Sequence, residues 1–546
     1  MMKQKSDRLK YTVDRMTVRN GRIFGFGWIF HHDSEIKSIQ LDLKLSDGGL
    51  VTLPIIYNKL REDVYKEFPD VPQSLRCGFV VYGGWDAAAG IADASVVGSL
   101  QEGGGFKVGA PITNLPVSSK LSSIRFLPYR LMLVRAWHLL STGKFSALRS
   151  KIKRYWPTVP ASNENIRRAS RELLSPESCT RVILVVDHDL GGGANTYRER
   201  LLKDYLQRGY GILLLTYNLL SLHYVIDVFT REGRKRFNVS GLDAVVELAE
   251  EGVLDEVFYN NAVSFERPED IPDLLAALRQ VYGLSLTIAI HDYFTICPSH
   301  FLLNAEGRYC DLPRIEQCAS CLEGIDYGFV SFYQSNDMDL WRKKWGACYE
   351  LADRILCFSN ASRQLIQKAY TTIASEKIEI IPHAVKYFPE RKPEVSLADK
   401  LHIGVVGEIG LHKGSQVIQA LASEIVSREL DIKISVIGSI ETECDRKVVT
   451  ETGPYDHSEL VEMVESRGAN VFFFPSIWPE TFSYVTDELM QLDVPIVCFD
   501  LGAPAERVRN YAKGKVIPIA DAETILRDIC EFYEDLARSD GSEKSR

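Results

Sequence analysis

The sequence predicts a mixed α/β protein with two Rossmann-like domains, preceded by a small β-sandwich domain and a helical linker. Two segments, 181–216 and 401–414, begin with a continuous apolar run that leads into a glycine loop, as a buried parallel strand does when a ligand-facing turn follows it. Residues 8–110 instead show short apolar or alternating segments separated by turn signals. At 546 residues the chain is too long for one hydrophobic core, so several domains are expected.

The domain boundaries follow from where these patterns change. We predict five successive segments: a β-rich accessory domain at 8–110, a basic helical linker at 111–175, a first Rossmann-like domain at 176–390 with a cysteine-rich insertion at 293–325, a second Rossmann-like domain at 391–535, and a polar tail at 536–546.

The overall composition is that of a soluble globular protein, with 45% hydrophobic and 25% charged residues. A formal net charge of −9 argues against general binding to nucleic acid. The first residues are polar, and no stretch reaches the roughly 18–20 apolar residues that a transmembrane helix needs. We therefore expect a cytoplasmic protein whose eleven cysteines are mostly reduced.

The predicted linker is strongly basic between residues 118 and 156, where nine Lys or Arg residues occur without any Asp or Glu. Leucines and aromatic residues are interleaved with these cations. Two interpretations stay open. The segment is a basic amphipathic helix that lies on an anionic membrane, at the inner face of the cytoplasmic membrane, or it is a helical linker whose apolar side packs on the neighbouring domains.

The most informative stretch surrounds two glutamates. An apolar strand at 469–474 is stopped by Pro475, and helical spacing begins after Thr481. Glu480 therefore precedes a helix and Glu488 lies inside it. A helix N-terminus that follows the carboxyl end of a strand offers free N–H groups and a positive dipole, which suits a phosphate, while two carboxylates can hold hydroxyls on two parts of one ligand.

This stretch, PSIWPETFSY with Glu480 and Glu488 in E-x7-E spacing, resembles the donor-sugar motif of glycosyltransferase family 4, retaining enzymes of the two-Rossmann GT-B fold. Residues 499–507 also resemble bacterial members that build surface polysaccharides. The resemblance implies retaining transfer of a hexosyl or deoxyhexosyl group from a nucleoside-diphosphate-sugar to a saccharide or lipid-linked acceptor, as in O-antigen or capsule synthesis, without a cofactor for the chemistry. The alternative is a solvated helix face with a capping glutamate.

A second glycine loop predicts where the donor diphosphate binds. A strand that ends at Gly407 leads through Gly410 to Lys413 and then to a helix, so backbone N–H groups and one cation face the same point. The resemblance implies that Lys413 neutralises the departing diphosphate. Many family members carry Arg after the first glycine, whereas this chain has Glu408; Lys413 would therefore act with the helix dipole alone or with Arg507.

The resemblance assigns roles to further residues around the donor. Glu480 would hold sugar hydroxyls and Glu488 the ribose, and the segment with Tyr455 and His457 would lie near the base. The remaining residues expected to contact the donor are Gly192, Gly193, Gly438, Thr481, Phe482 and Ser483.

The first Rossmann-like domain contributes a glycine loop and a histidine. Its loop at 191–195 is not G-x-G-x-x-G, and no acidic residue ends the next strand, so an NAD site is not indicated. His291 ends a strand, where ligands of open α/β sheets bind, and it is similar to the cleft histidine of family 4, which acts near the anomeric carbon. A plain turn and a strand-capping histidine are the respective alternatives.

Four cysteines lie in the insertion: Cys297, Cys310, Cys318 and Cys321. The last two form a C-x-x-C pair, the usual half-site of a structural zinc, and the first two can supply the other thiolates. Unmetallated thiols and disulfides are the alternatives. A catalytic zinc is not expected, because four thiolates leave no open coordination position.

Three other functions compete at this stage. The accessory domain resembles modules attached to polysaccharide glycosyltransferases and is a carbohydrate-binding or partner-docking module, or else a passive structural cap. The whole chain could be a nucleotide-sugar epimerase of the same architecture, since fold does not fix reaction type. It could also be a non-catalytic scaffold of a polysaccharide assembly complex, which Glu408 would favour.

Overall fold

The computed structural model describes residues 8–59, 61–85, 88–114, 161–325, 337–383, 385, 391–397, 400–453 and 455–544. These residues form one antiparallel β-rich domain and two Rossmann-like α/β domains, so the predicted fold class is confirmed. The basic segment at 118–156 lies outside the described residues, and both interpretations of it stay predictions. The described end of the linker is helical.

The accessory domain is a single sheet of eight strands that bends back on itself. Strand β4 pairs with β3 up to Pro54 and with β5 from Ile55 onward, so the sheet changes direction at a residue that has no N–H to donate. Its core includes Met16, Leu41 and Phe79. The elements are β1 Leu9–Arg19, β2 Arg22–His31, β3 Ile36–Leu45, β4 Leu50–Lys59, α1 Glu62–Glu67, β5 Gly78–Gly84, β6 Ile91–Leu100, β7 Gly105–Gly109 and β8 Thr113–Asn114, in the order β7-β6-β3-β4-β5-β2-β1-β8.

The first Rossmann-like domain has a parallel sheet extended by an antiparallel edge. Its strands are β9 Val182–Val186, β10 Gly211–Asn218, β11 His223–Phe229, β12 Arg234–Val239, β13 Glu256–Tyr259, β14 Ser285–Ala289, β15 Arg354–Cys357 and β16 Ile378–Ile380, in the order β12-β11-β10-β9-β13-β14-β15-β16. The helices are α2 Asn163–Leu173, α3 Gly192–Gln207, α4 Asp243–Glu250, α5 Ile271–Gln280, α6 Cys318–Gly324, α7 Met338–Leu351 and α8 Asn360–Ala369. Because β11 and β12 pair antiparallel, this edge is not part of the parallel pattern that the sequence predicts.

The second Rossmann-like domain is a fully parallel sheet, with strands β17 His402–Ile409, β18 Lys433–Ile440, β19 Val449–Glu451, β20 Val471–Phe474, β21 Ile496–Phe499 and β22 Gly514–Ile517 in the order β19-β18-β17-β20-β21-β22. Its helices are α9 Ser415–Ser427, α10 Leu460–Arg467, α11 Tyr484–Gln491, α12 Gly502–Val508 and α13 Ala522–Lys544. Helix α13 is anchored in its first turns by Ile525 and Ile529, and it continues through most of the predicted polar tail.

The accessory domain packs against the first Rossmann-like domain. Phe24 and Tyr82 of the accessory domain belong to the same buried cluster as Tyr217 of β10. Arg22 places its Nε 3.5 Å from the carboxylate of Glu266. Among the described residues no helix is both long and apolar enough to cross a membrane.

Candidate active site between the Rossmann-like domains

The loops that follow β14 and β20 meet between the two Rossmann-like domains. The Thr481 hydroxyl donates to the His291 carbonyl oxygen at 2.8 Å, and the buried Tyr293 hydroxyl donates to the carbonyl oxygen of Pro479 at 2.8 Å. These bonds hold the strand-end histidine of one domain beside the glutamate motif of the other. The structure therefore brings His291 and Glu480 to one boundary, at the carboxyl ends of both sheets, where ligands of open α/β folds bind.

Glu480 is nearly enclosed, with 6% of its surface exposed. The Ser476 hydroxyl donates to its carboxylate at 3.1 Å, and its carbonyl oxygen accepts from the Ala503 N–H at 2.8 Å. Burial raises the pKa of the Glu480 carboxyl, and the charge of Lys413 and the hydrogen bond from the Ser476 hydroxyl make this rise smaller. Glu480 and Lys413 are thus close enough for the charge of one to act on the other.

The loop that carries Lys413 is fixed by close backbone contacts at its glycines. Gly407 and Gly438 lie side by side on β17 and β18 with φ of +117° and +130°, and a Cβ on Gly438 would lie 2.1 Å from the Gly407 carbonyl oxygen. Gly414 has a φ of +84°, and its Cβ would lie 2.0 Å from the Pro475 carbonyl oxygen. Side chains are therefore excluded at these positions, and the loop lies directly on the segment that leads to Glu480.

Lys413 is the last residue of a short 3-10 turn that precedes α9. The N-terminus of this helix therefore lies beside the Lys413 backbone, and the N–H groups of Ser415 and Val417 donate to the carbonyl oxygens of Gly410 and Gly414. Gly410 starts the turn. Glu408 is exposed on β17, so it takes no part in the loop's packing.

Arg507 reaches the same region from α12. Its guanidinium lies 5.0 Å from the centre of the Phe482 ring and forms an ion pair with Asp487. Burial lowers the pKa of Arg507. Its Nη1 group is buried and meets no hydrogen-bond acceptor in the part of the chain that the structure describes. One guanidinium N–H group is therefore left without an acceptor next to Phe482.

Helix α11 begins at the motif and places Glu488 in its interior. Ser483 caps the helix, since its hydroxyl accepts from the Thr486 N–H at 3.2 Å. The Glu488 side chain has no exposed surface, and one of its oxygens lies 3.1 Å from Nδ1 of His457. Burial, together with the charge of Glu488, raises the pKa of Tyr455. The structure thus joins Glu488 to the segment that the resemblance places near the nucleotide base.

His291 lies in a group of aromatic rings, with its Nε2 2.8 Å from Asn260 Oδ1. Its ring centre is 4.9 Å from that of Tyr197, 4.7 Å from that of Phe358 and 5.8 Å from the nearly parallel ring of His383. Burial lowers the pKa of His291 well below its usual value, and His383 and His188 act in the same direction. The imidazole is therefore neutral at pH 7, with Nε2–H donating to Asn260.

His383 lies at the same domain boundary, although no sequence motif assigned it a role. Its ring stacks on Phe358 at 4.0 Å and on Tyr484 at 5.4 Å, and meets Phe482 edge-on at 4.6 Å. Burial, then the charges of Arg200 and Arg507, lower the pKa of His383 to about 3. The sequence did carry a signal for His383, because this residue follows a strand just as His291 does.

The first glycine loop faces the second Rossmann-like domain. Gly191 and Gly192 have φ of +93° and +82°, and a Cβ on Gly193 would lie 3.2 Å from the Tyr484 ring. The Asn195 side chain accepts from the Gly191 N–H at 2.6 Å and donates to the buried Asp187 at 2.8 Å. The N-terminus of α3 is therefore held at the domain boundary by a buried polar network.

The same network contains a buried ion pair. Arg198 donates to the Asp187 carboxylate at 3.0 Å and to the His188 carbonyl oxygen at 2.8 Å. Burial raises the pKa of Asp187 to about 6, although Arg198 opposes this shift. These contacts fix the loop that leads from β9 to α3.

A direct contact between the two domains also involves α8 and α12. The Glu506 carboxylate of α12 accepts from the N–H groups of Asn360 and Ala361, at 3.3 and 3.0 Å. Ser359 caps the same helix by accepting from the Ser362 N–H at 3.1 Å. A carboxylate at a helix N-terminus is favourable because it satisfies free N–H groups and faces the positive end of the dipole.

The cysteine-rich insertion covers the loop that carries Lys413. Phe301 stacks on His412, with ring centres 4.0 Å apart and planes 5° apart, and meets Trp478 at 4.8 Å. Burial lowers the pKa of His412 well below its usual value, and Lys413 contributes. No local pattern predicts this contact, since it joins residues more than a hundred positions apart in the chain.

All eleven cysteines are free, so the disulfide alternative is not realised. Burial raises the pKa of each thiol in the insertion, with neighbouring thiols among the causes for Cys297, Cys310 and Cys318. Within the described ranges no three His, Cys, Asp or Glu side chains converge closely enough to hold a metal ion. The zinc site, which would also include Cys321, stays a prediction.

Residues 388–544 match the family model "Glycosyl transferases group 1". A curated relative, the capsular polysaccharide biosynthesis glycosyltransferase CapM of Staphylococcus aureus, is 29% identical over 156 residues, which are 27% of this chain. The matched part spans 40% of that relative's length.

Similar solved structures include sucrose-phosphate synthase from Thermosynechococcus elongatus, with 16% identity and a TM-score of 0.45. HepE of Anabaena in complex with UDP-glucose has 15% identity and a TM-score of 0.42. Each alignment covers 65% of this chain and 90% of the other. The family match thus falls on the second Rossmann-like domain.

Proposed function

We propose that this protein is a retaining glycosyltransferase that moves a hexosyl or deoxyhexosyl group from a nucleoside-diphosphate-sugar to a saccharide or lipid-linked acceptor in bacterial surface polysaccharide synthesis. The observation that carries the proposal is the buried Glu480 carboxylate, which shares its environment with Lys413 at the boundary between two Rossmann-like domains. The family match over residues 388–544 and the capsular polysaccharide relative support it.

In this proposal the second Rossmann-like domain holds the donor. Lys413 and the positive end of the α9 dipole stabilise the departing diphosphate, an electrostatic contribution of the oxyanion-hole kind. The buried Nη1 group of Arg507 supplies a second donor to a phosphate oxygen. It takes the role of the arginine that many members of the resembled family carry at the position of Glu408. Glu480 holds hydroxyls of the sugar, so it fixes the orientation of the anomeric carbon.

Glu488 orients the nucleoside in this proposal. Its carboxylate is already held by His457, and Tyr455 lies next to it, so the three side chains form one end of the donor site. His291 lies on the opposite wall, near the sugar. As a neutral imidazole whose Nε2–H is bonded to Asn260, it can accept a hydrogen bond from a sugar hydroxyl at Nδ1 without adding charge beside the leaving diphosphate.

The proposed function has one competitor that a specific residue favours. Glu408 stands where many members of the resembled family have an arginine, as expected if the chain were a non-catalytic scaffold. A thermal-shift screen with UDP, GDP, ADP and CDP and their sugars separates the two. We expect one nucleotide series to raise the melting temperature and its sugar to be transferred with retention; a chain that binds none of them is not a glycosyltransferase.

The protein acts in the cytoplasm in this proposal, at the inner face of the membrane if residues 118–156 bind it. Co-sedimentation with vesicles containing anionic lipid tests this, with neutral vesicles as the control. No binding to anionic vesicles would rule out the membrane contact.

We also propose that the insertion binds one structural zinc ion through its four cysteines. Metal analysis of protein purified without chelator should give close to one zinc per chain, and Cys318→Ser should lose it. A trace amount in the wild-type protein would refute this assignment.

A further inference from the structure

We propose that the accessory domain positions the donor loop, with Lys59 as the positioning residue that acts through Glu441. This inference rests on the proposed function, because it concerns the loop that would bind the donor diphosphate. It assigns the accessory domain a role that is neither carbohydrate binding nor passive capping.

Glu441 connects the accessory domain to the donor loop. One of its carboxylate oxygens lies 2.6 Å from the Lys59 ammonium at the end of β4, and the other accepts from the Leu411 N–H at 3.1 Å. Its own N–H donates to the Ile409 carbonyl oxygen at 2.9 Å. A single residue therefore holds both sides of the turn that starts at Gly410.

The position of Leu411 explains why this contact affects the donor site. Leu411 opens the short turn whose last residue is Lys413, and Gly414 then presses directly on the Pro475 carbonyl oxygen. A shift of the Leu411 backbone is therefore passed to the Lys413 ammonium and to the first turn of α9. Since a charge contact with a phosphate depends on its geometry, a small displacement here weakens binding.

A second cation of the accessory domain strengthens the contact. The Arg76 guanidinium donates to the carbonyl oxygen of Ile440, the residue before Glu441. Arg76 also faces the carboxylates of Glu443 and Glu451. Two cations of the accessory domain therefore face an acidic edge of the second Rossmann-like domain.

The charge of Lys59 also acts on Glu441 itself. Burial alone would raise the pKa of Glu441, but the hydrogen bond and charge of Lys59 bring it below its usual value. Glu441 thus remains a carboxylate, the stronger acceptor for the Leu411 N–H. The accessory domain also contacts the first Rossmann-like domain through Arg22, so it is in contact with both walls of the cleft.

The test compares the full-length wild-type chain with Lys59→Ala, Lys59→Arg and Arg8→Ala. The last is the matched control, because Arg8 forms an exposed ion pair with Asp33 elsewhere in the accessory domain. The probe is the nucleoside diphosphate, among UDP, GDP, ADP and CDP, that stabilises the wild-type protein most. The readouts are its Kd, the kcat and KM for the matching nucleotide-sugar, and hydrogen exchange of the amides at 410–414.

We expect Lys59→Ala to raise the Kd and the donor KM by about two- to fivefold, the size of a partly exposed ion pair, with a smaller fall in kcat because the displaced Lys413 stabilises the departing diphosphate less well. Exchange at Leu411 should become faster. Lys59→Arg should keep the Kd and the KM close to their wild-type values, and Arg8→Ala should change neither constant. Faster exchange without an effect on Kd and KM, or no change in exchange, would overturn the inference. If the wild-type protein binds no nucleoside diphosphate, the proposed function fails; if it binds one and Lys59→Ala binds it equally, only this inference fails.

Discussion

Replacing the Glu480 carboxylate tests the proposed site most directly. In Glu480→Gln the side chain keeps its size and can still accept from Ser476, so the change removes the charge that lies near Lys413. A preorganised charge contact of this kind contributes ~2–4 kcal/mol to transition-state stabilisation, which corresponds to a fall of about 30- to 1,000-fold in kcat/KM. We expect the loss mainly in kcat, because the sugar is oriented less well rather than bound less often.

At pH 7 the thermal stability of Glu480→Gln should rise, whereas its activity falls. Since burial raises the folded-state pKa of Glu480 above its usual 4.5, the ionised carboxylate costs stability at pH 7, and this cost disappears as the pH falls below about 4.5. Glu480→Gln should therefore melt at a higher temperature than the wild-type protein at pH 7, with a smaller difference at pH 4.5.

The assay measures transfer from the nucleotide-sugar that the thermal-shift screen selects, alongside thermal unfolding at both pH values. Glu462→Gln is the matched control, because Glu462 is an exposed glutamate on α10 of the same domain. Wild-type turnover in Glu480→Gln would refute the proposed role of this carboxylate. Lower stability at pH 7 would show that the carboxylate stabilises the fold instead.

Three further predictions concern the architecture of the cleft. Gly438→Ala should lower the free energy of unfolding by about 2 kcal/mol or more and weaken nucleotide binding, because the new Cβ would clash with the Gly407 carbonyl oxygen. Chemical denaturation measures the stability change, and Gly468→Ala is the control because Gly468 also has a positive φ but has open space around it. Arg198→Met should lower the free energy of unfolding by about 3–5 kcal/mol, because it leaves the buried Asp187 carboxylate without its cation. Adding Asp187→Asn should restore most of the lost stability, and a double variant no more stable than Arg198→Met would contradict the explanation. The histidines with depressed pKa, such as His383, contribute stability that is complete above pH 6.5 and is lost as the pH falls towards 4, so urea unfolding should show a decline over this range that is shallower in His383→Phe.

Local chemistry made much of the cleft predictable. Pro475 ends its strand, the glycines at 407 and 438 permit backbone contact, and Ser483 caps α11, so each of these positions follows from neighbouring residues. The order of strand, glycine loop and helix then fixes the edge of the sheet at which Lys413 lies. The structure therefore places the predicted residues at one boundary, although their roles stay predictions.

Contacts between distant residues could not be predicted in this way. Phe301 stacks on His412 because the insertion folds over a loop of another domain, and neither residue lies in a periodic pattern. The bend of β4 at Pro54 and the antiparallel edge strand β12 likewise depend on pairing partners that the local sequence does not identify.

The Glu506 carboxylate at the N-terminus of α8 has a consequence for how the two Rossmann-like domains can move apart. When the two Rossmann-like lobes separate, breaking the contacts of Glu506 deprives Asn360 and Ala361 of a charged acceptor, a loss of about 1 kcal/mol. A rotation that preserves this point and parts Thr481 from His291 and Tyr293 from Pro479 avoids that loss and breaks only neutral hydrogen bonds. In the proposed function the lobes would therefore rotate about the junction of α8 with α12, and the sugar nucleotide would enter from the side that opens.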